Sequence, residues 1–333
     1  MAETSFQESK QEKKKVGISN TLMLFIVLVI IIAFFGITSQ IKFGQQFFFS
    51  VLNLIPMLSN ISYVGIIACV LTMLLITGEI DFSIGGNIGL TGCLAALLLS
   101  KGINGVLVVL ICLAAGTLMG VFNGFIVTRL GVNSIIATIG TMSIWRGIGY
   151  TLSNGESMLA FNPVIDYLGR GTIFKYIPFP IVLFIIVIIV TYIIMNKSKV
   201  GRRIYAIGVN PMASYLSGTN VRGIKFLLFI FCGAAASLGG LMLTSLSAVG
   251  MPQHGQGLEL TVVSAVILGG TALSGGKGQI LGTLAGVLIL SVLYNGLTML
   301  NIMYFYIQIV RGIVLILVVA TYEIRQSRAL RRV

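Results

Sequence analysis

Histidine is almost missing from this chain. His254 is the only one among 333 residues. A lone imidazole cannot complete a His-based metal set or a Ser-His-Asp arrangement, so neither a metal site nor a hydrolase centre of that kind is expected. Charge is also scarce: 9% of residues are Asp, Glu, Lys or Arg, where an ordinary soluble domain carries about 25%. The four cysteines, Cys69, Cys93, Cys112 and Cys232, lie in apolar stretches without CxxC or metal-ligand spacing. They read as buried free thiols, not as a disulfide framework. A cleavable leader is not expected either, because the first apolar run, 20–39, is too long for a signal-peptide core and ends without a small-residue cleavage pattern.

What the chain does have is apolar length. Hydrophobic residues make up 56% of it. Uncharged runs near the twenty residues needed to cross a bilayer recur along it. The expectation is an all-α polytopic membrane protein of about ten spans: 20–39, 60–77, 82–99, 106–128, 134–152, 180–195, 226–246, 258–273, 280–300 and 304–321. On that order sixteen of the 22 Lys and Arg residues fall on one side, four on the other, and Arg146 and Arg311 within spans. This is the positive-inside asymmetry, and it puts both termini in the cytoplasm. The net charge of +13 therefore reflects topology and not a nucleic-acid partner. The chain divides into a cytoplasmic tail at 1–19, a membrane body at 20–322 with a cytoplasmic segment at 197–225, and a basic cytoplasmic tail at 323–333. The apolar run 45–58, interrupted by Pro56, is either a re-entrant piece or the kinked start of the next span. Residues 153–178 and 247–257 read as outer loops, the second holding His254.

The polar segment 201–223 has a small helix written into it. Asn210 is a good N-cap, Pro211 suits the first helical position, and Gly218 can take the left-handed stop after Ser217. Basic residues bracket it: Lys197, Lys199, Arg202 and Arg203 before, Arg222 and Lys225 after. A capped helix held at a membrane face suits contact with a soluble partner; alternatively it is a solvated loop whose charges only set topology. Two reversals echo one another, with Gly78, Asp81 and Ser83 in the first and Ser274, Gly275 and Gly276 in the second, as a parallel internal repeat would give. Gly116, Gly120 and Gly124, and later Gly282 and Gly286, form small-residue faces that serve either a dimer seam or packing within one chain.

No catalytic cluster appears. The run 273–277, LSGGK, superficially matches the LSGGQ sequence of ATP-binding cassette ATPases, but no GxxxxGK[ST] accompanies it and Gly278 stands where Ser or Thr is required. Arg146 and Arg311 are functional candidates as ionisable groups in spans, with snorkelling or interhelical pairing as the alternative. Glu259 sits where it can cap a vestibule at the outer end of a short span, and Asp81 where it can cap a helix starting at Phe82. Asn123, Asn133, Thr138 and Asn295 supply neutral hydrogen-bonding groups that suit a translocation path for a polar solute, and equally suit interhelical ties.

Three blocks carry a resemblance. GEIDFSIGG at 78–86 resembles the GGIDLSVG-type turn of permease subunits from bacterial monosaccharide importers of the ATP-binding cassette class, the ribose, xylose and galactose group. GRRIYAIGVNPMASYLSGTNV at 201–221 is similar to their cytoplasmic coupling segment, and GGTALSGGKGQILGTLAGVLIL at 269–290 to a third shared block. Glu79 departs from the Gly often found there. The resemblance implies a type II importer-like permease fold in an inner membrane, a second copy of the chain as dimer partner, a cytoplasmic ATPase and an outer solute-binding protein. It implies docking of the ATPase on Gly208, Asn210, Pro211, Met212, Ala213, Leu216 and Gly218. It implies no cofactor on this chain, ATP being used by the partner. A permease for a sugar-like signal or nucleoside stays open beside the monosaccharide reading. An independent secondary transporter is disfavoured by spans almost empty of carboxylates, and a membrane enzyme by the missing catalytic cluster.

Overall fold

The structure is a computed structural model and describes residues 20–174 and 177–330. The tail read at 1–19 and the end of the basic tail at 331–333 lie outside them. Among the described residues the chain forms thirteen α-helices, one 3-10 turn and four two-residue strands. Helix α1 (Asn20–Phe43) is followed by the 3-10 turn Phe47–Phe49 and α2 (Val51–Ile76). Helix α2 continues through Pro56, which forfeits the bond its missing N–H would make to Leu52. Of the run 45–58, residues 47–49 form the 3-10 turn and 51–58 are the start of the second long helix.

Next come α3 (Ile84–Ser100), α4 (Gly105–Thr128) and α5 (Ser134–Ser153). The connection read as an outer loop contains β1 (Met158–Leu159), a short amphipathic α6 (Pro163–Arg170), β2 (Thr172–Ile173) and β3 (Ile177–Pro178). Helices α7 (Phe179–Lys197), α8 (Lys199–Val209), α9 (Pro211–Leu216) and α10 (Val221–Ser247) follow, then β4 (Val249–Gly250), α11 (Leu258–Leu268), α12 (Ile280–Met299) and α13 (Tyr304–Leu330). Strand β1 pairs antiparallel with β4, and β2 with β3.

Six helices, α1, α2, α4, α7, α10 and α12, are long and apolar enough to cross a membrane. The apolar pieces α3, α11 and Tyr304–Leu317 of α13 are shorter. Helix α2 is the centre: 89% of its most apolar window is buried, against 22% in α1 and α7. It packs on α7, α10, α11 and α12. The outer helices turn Val29, Ile30, Phe34, Ile186, Ile189 and Ile193 outward, as helices solvated by lipid do.

Where lipid is the solvent, helices gain little by hiding apolar groups from it, and close backbone approach does the joining. The stripe Gly116, Gly120 and Gly124 faces α10. A Cβ at any of the three would collide with Gly233 and Ser237, with Phe229 and Ile230, or with Phe226. Gly282 and Gly286 likewise meet the C-terminal turn of α11 at Gly269 and Ala265. Packing within the chain accounts for both stripes.

Two expectations need correction. Helix α3 begins at Ile84, not Phe82, and Asp81 stabilises the turn ahead of it. The outer loop at 247–257 is not a free loop. After β4 the backbone runs back along α3, with the Pro252 carbonyl 2.6 Å from where a Cβ of Gly89 would sit and the Gly255 carbonyl 2.7 Å from that of Gly85. Gly85, Gly89 and Gly92 form a flat stripe at helical spacing, and irregular chain fills it. Irregular backbone within a membrane protein is tolerated where it is enclosed by protein. The span read at 258–273 shortens accordingly to α11.

Candidate coupling surface and its supporting turns

Ser198 separates α7 from α8, and its hydroxyl accepts the Gly201 N–H at 3.1 Å. Helix α8 then lays Ile204 and Ile207 inward, both fully buried, while Arg202 and Arg203 stay exposed. Its C-terminal end meets two other segments backbone to backbone. A Cβ on Gly208 would overlap the Ile76 carbonyl oxygen and the Gly276 nitrogen. The Gly276 N–H donates to that same Ile76 carbonyl at 2.8 Å, and the Tyr205 hydroxyl donates to the Gly278 carbonyl at 2.8 Å. Burial pushes the Tyr205 phenol above its ordinary pKa, which keeps it a donor. The two reversals that echo each other in sequence are therefore neighbours in space, since Gly275 also stands against Gly78.

Helix α9 follows from its own residues. The Asn210 side chain accepts the Ala213 N–H at 2.9 Å, Pro211 occupies the first helical position, and Gly218 closes it at φ +79°. A cap of this kind stabilises by about 1 kcal/mol, which matters in a helix of six residues. Ser214 faces inward, whereas Met212, Tyr215 and Leu216 are 64%, 65% and 74% exposed. Pro211, Met212 and Tyr215 line one side of a groove of about 750 Å³, and Thr219, Asn220 and Arg222 the other. The Asn220 side chain then caps α10 by accepting the Gly223 N–H.

One turn into α10, Lys225 Nζ lies 2.6 Å from Glu79 Oε1, with both side chains mostly buried. This ties the start of α10 to the α2–α3 reversal, and it gives the unusual Glu79 a partner.

The reversal is built from buried polar groups. Asp81 is 1% exposed, and its Oδ1 accepts both the Ser83 N–H at 2.8 Å and the Ser83 hydroxyl at 2.6 Å. Burial raises its pKa to about 6, the Ser83 hydrogen bonds offsetting part of the rise. Asn123 Nδ2 donates to Ser83 Oγ at 2.7 Å. Thr138 Oγ1 accepts the Phe82 N–H at 3.0 Å and donates to the Ser134 carbonyl. Asn133 caps α5 through the Ile135 and Ile136 N–H groups, and Asn295 forms a reciprocal amide pair with Asn53. All four residues read as suiting a polar path thus make hydrogen bonds within the chain. Ser274 is exposed beside the paired glycines.

Sequence reasoning did not find α8, although Ser198 and the spacing of Ile204 and Ile207 were there to be read. It also did not pair Glu79 with Lys225, for the two are 146 positions apart.

Comparison with known proteins places the chain in a family. The family model described as "Branched-chain amino acid transport system / permease component" matches residues 53–319. The ribose import permease protein of Bacillus subtilis is 34% identical over 94% of this chain and 97% of its own length. That of Haemophilus influenzae is 38% identical over 89% of this chain and 90% of its own. The L-arabinose transporter permease of Azospirillum brasilense is 31% identical over 91% of this chain and 89% of its own. No solved structure matches. With a family match over most of its length and relatives spanning nearly all of it, the chain belongs to the family of transport-system permease components that includes the ribose import permeases.

Proposed function

We propose that this chain is the membrane permease subunit of an ATP-driven monosaccharide importer, with α9 as the element that couples it to a separate ATPase. The observation that carries the coupling assignment is the capped six-residue helix with Met212, Tyr215 and Leu216 exposed beside a groove, inside an otherwise basic segment. Exposed apolar side chains rimmed by polar groups mark interaction surfaces. Members of this permease class work with an ATPase and a solute-binding protein, and the ribose, arabinose and allose permeases among the relatives support a pentose or hexose as cargo.

On this reading the protein sits in a bacterial inner membrane with ten crossings and both termini in the cytoplasm, as the distribution of Lys and Arg supports. Two copies enclose the path. ATP is bound and hydrolysed by the partner alone. The backbone junction of Ile76, Gly208 and Gly276 gives force applied at α9 a stiff route, through α8, to α2 and the loop before α12.

Ala213 is exposed and its side chain makes none of the contacts that hold α9. Ala213→Arg should leave the protein folded and inserted while lowering ATP-dependent ribose uptake by about tenfold or more, as loss of one interface anchor does. Uptake equal to wild type would remove α9 from the docking surface.

A further inference from the structure

A second polar cluster lies where the irregular segment ahead of α11 has returned along α3. Gly257, at φ +77°, opens α11, and its N–H donates to Glu259 Oε1 at 3.2 Å. The other carboxylate oxygen, Oε2, is buried without a hydrogen-bond partner among the described residues, and the residue as a whole is only 7% exposed. Oε2 points at Gly85, where a Cβ would overlap it. The guanidinium of Arg311 flanks the same turn: a Cβ on Gly257 would sit 2.8 Å from its Nη1. Arg311 also lies over the Tyr294 ring at 5.3 Å.

Arg146 approaches from α5. Gly86 of α3 packs on the Met142 carbonyl, one helical turn from Arg146. Arg146 Nε and Nη2 and Arg311 Nε are buried and, among the described residues, also lack partners.

Several charged hydrogen-bonding atoms left open around one carboxylate is a costly arrangement for a fold, because an unmet buried polar group forfeits its hydration. The set is mixed. Two guanidiniums offer donors, and one carboxylate oxygen requires a donor. An anionic ligand brings acceptors only and would be repelled by Glu259. A cation brings donors only and would be repelled by the arginines. A hydroxyl both donates and accepts, and neighbouring hydroxyls on a sugar ring can meet all three groups at once.

We propose that Glu259, Arg146 and Arg311 form a transient subsite for the hydroxyls of a neutral sugar within the permease. The subsite belongs to a discontinuous stretch between α10 and α11, and interrupted helices are where membrane transporters place solute contacts. This inference rests on the transport reading above.

The test uses the full complex, permease with its ATPase, in vesicles, with the loaded solute-binding protein outside and labelled ribose as probe. Uptake and ATP hydrolysis are read on the same vesicles. Glu259→Gln keeps the shape and the acceptor for Gly257, and should lower ribose delivered per ATP by about tenfold, the loss expected for a charged hydrogen bond. ATP hydrolysis stimulated by the binding protein should stay within about twofold, since α9 is untouched. Arg311→Lys keeps the charge and removes the planar fork; it should lower the same ratio, and it decides the matter if Glu259→Gln fails to assemble. A ratio equal to wild type, or uptake and hydrolysis falling in parallel, overturns the subsite. Absence of uptake by the wild-type complex of ribose and of every other pentose or hexose tried would instead overturn the transport reading.

Discussion

At the scale of single residues, the account turns on a few positions where backbone meets backbone or a charge is enclosed. Gly208 is the sharpest steric case, because the atoms a side chain would strike, the Ile76 carbonyl oxygen and the Gly276 nitrogen, are main chain. Gly208→Ala should destabilise the purified permease by roughly 1–3 kcal/mol, the usual cost of overpacking. It should appear as a lowered melting midpoint in detergent, whereas Gly218→Asn, at a left-handed position with open space, should shift it far less. Asp81 is the sharpest electrostatic case. Its folded pKa of about 6 lies above the ordinary carboxylate value of 3.8, so the folded chain holds a proton that the unfolded chain has already released in that interval. Stability then falls as pH rises from about 4 towards 6 and stays at the lower level above it. Asp81→Asn keeps an acceptor for Ser83 and has no charge to lose. Its melting midpoint relative to wild type should rise between pH 5 and pH 7.5; a constant difference would show that Asp81 does not titrate there. Neither property was legible from sequence. The GEID turn announced a reversal, but not that Asp81 would be buried with Ser83 and Asn123, because burial is set by α4, more than twenty residues farther along the chain.

At the scale of elements, the legible features were those with local causes. Helix α9 was readable because Asn210, Pro211 and Gly218 cap, start and stop it without outside help. The long lipid-facing helices were readable from their apolar length. The descent of 251–257 along α3 was not, since it depends on a glycine stripe whose occupant is distant in sequence, although the spacing of Gly85, Gly89 and Gly92 was a usable sign. Helix α8 hid behind its polar composition. The link from α10 to the reversal is the pair Glu79–Lys225, 2.6 Å apart with little solvent around either side chain. Breaking it by Lys225→Glu should cost about 1.5–3 kcal/mol, the range for a charged hydrogen bond, and slow transport along with it. The exchanged pair Glu79→Lys with Lys225→Glu should recover more than half of both losses. No recovery in the double variant would mean that each residue acts separately.

At the scale of the whole molecule, the chain is a helical body centred on α2, with the exposed helix α9 and, apart from it, the buried polar cluster around Glu259. The backbone junction at Gly208 and the Glu79–Lys225 pair tie the flanks of α9 to the α2–α3 reversal, so on the proposed function docking and solute contact share one frame. On the proposed function the energy for transport comes from a companion ATPase subunit. That is the central claim, and reconstitution tests it most directly. Vesicles containing the permease with its ATPase, given loaded binding protein outside and ATP at the nucleotide-binding face, should accumulate labelled ribose. Vesicles containing the permease alone should show none above the protein-free background. Accumulation against a gradient by the permease alone would contradict the account.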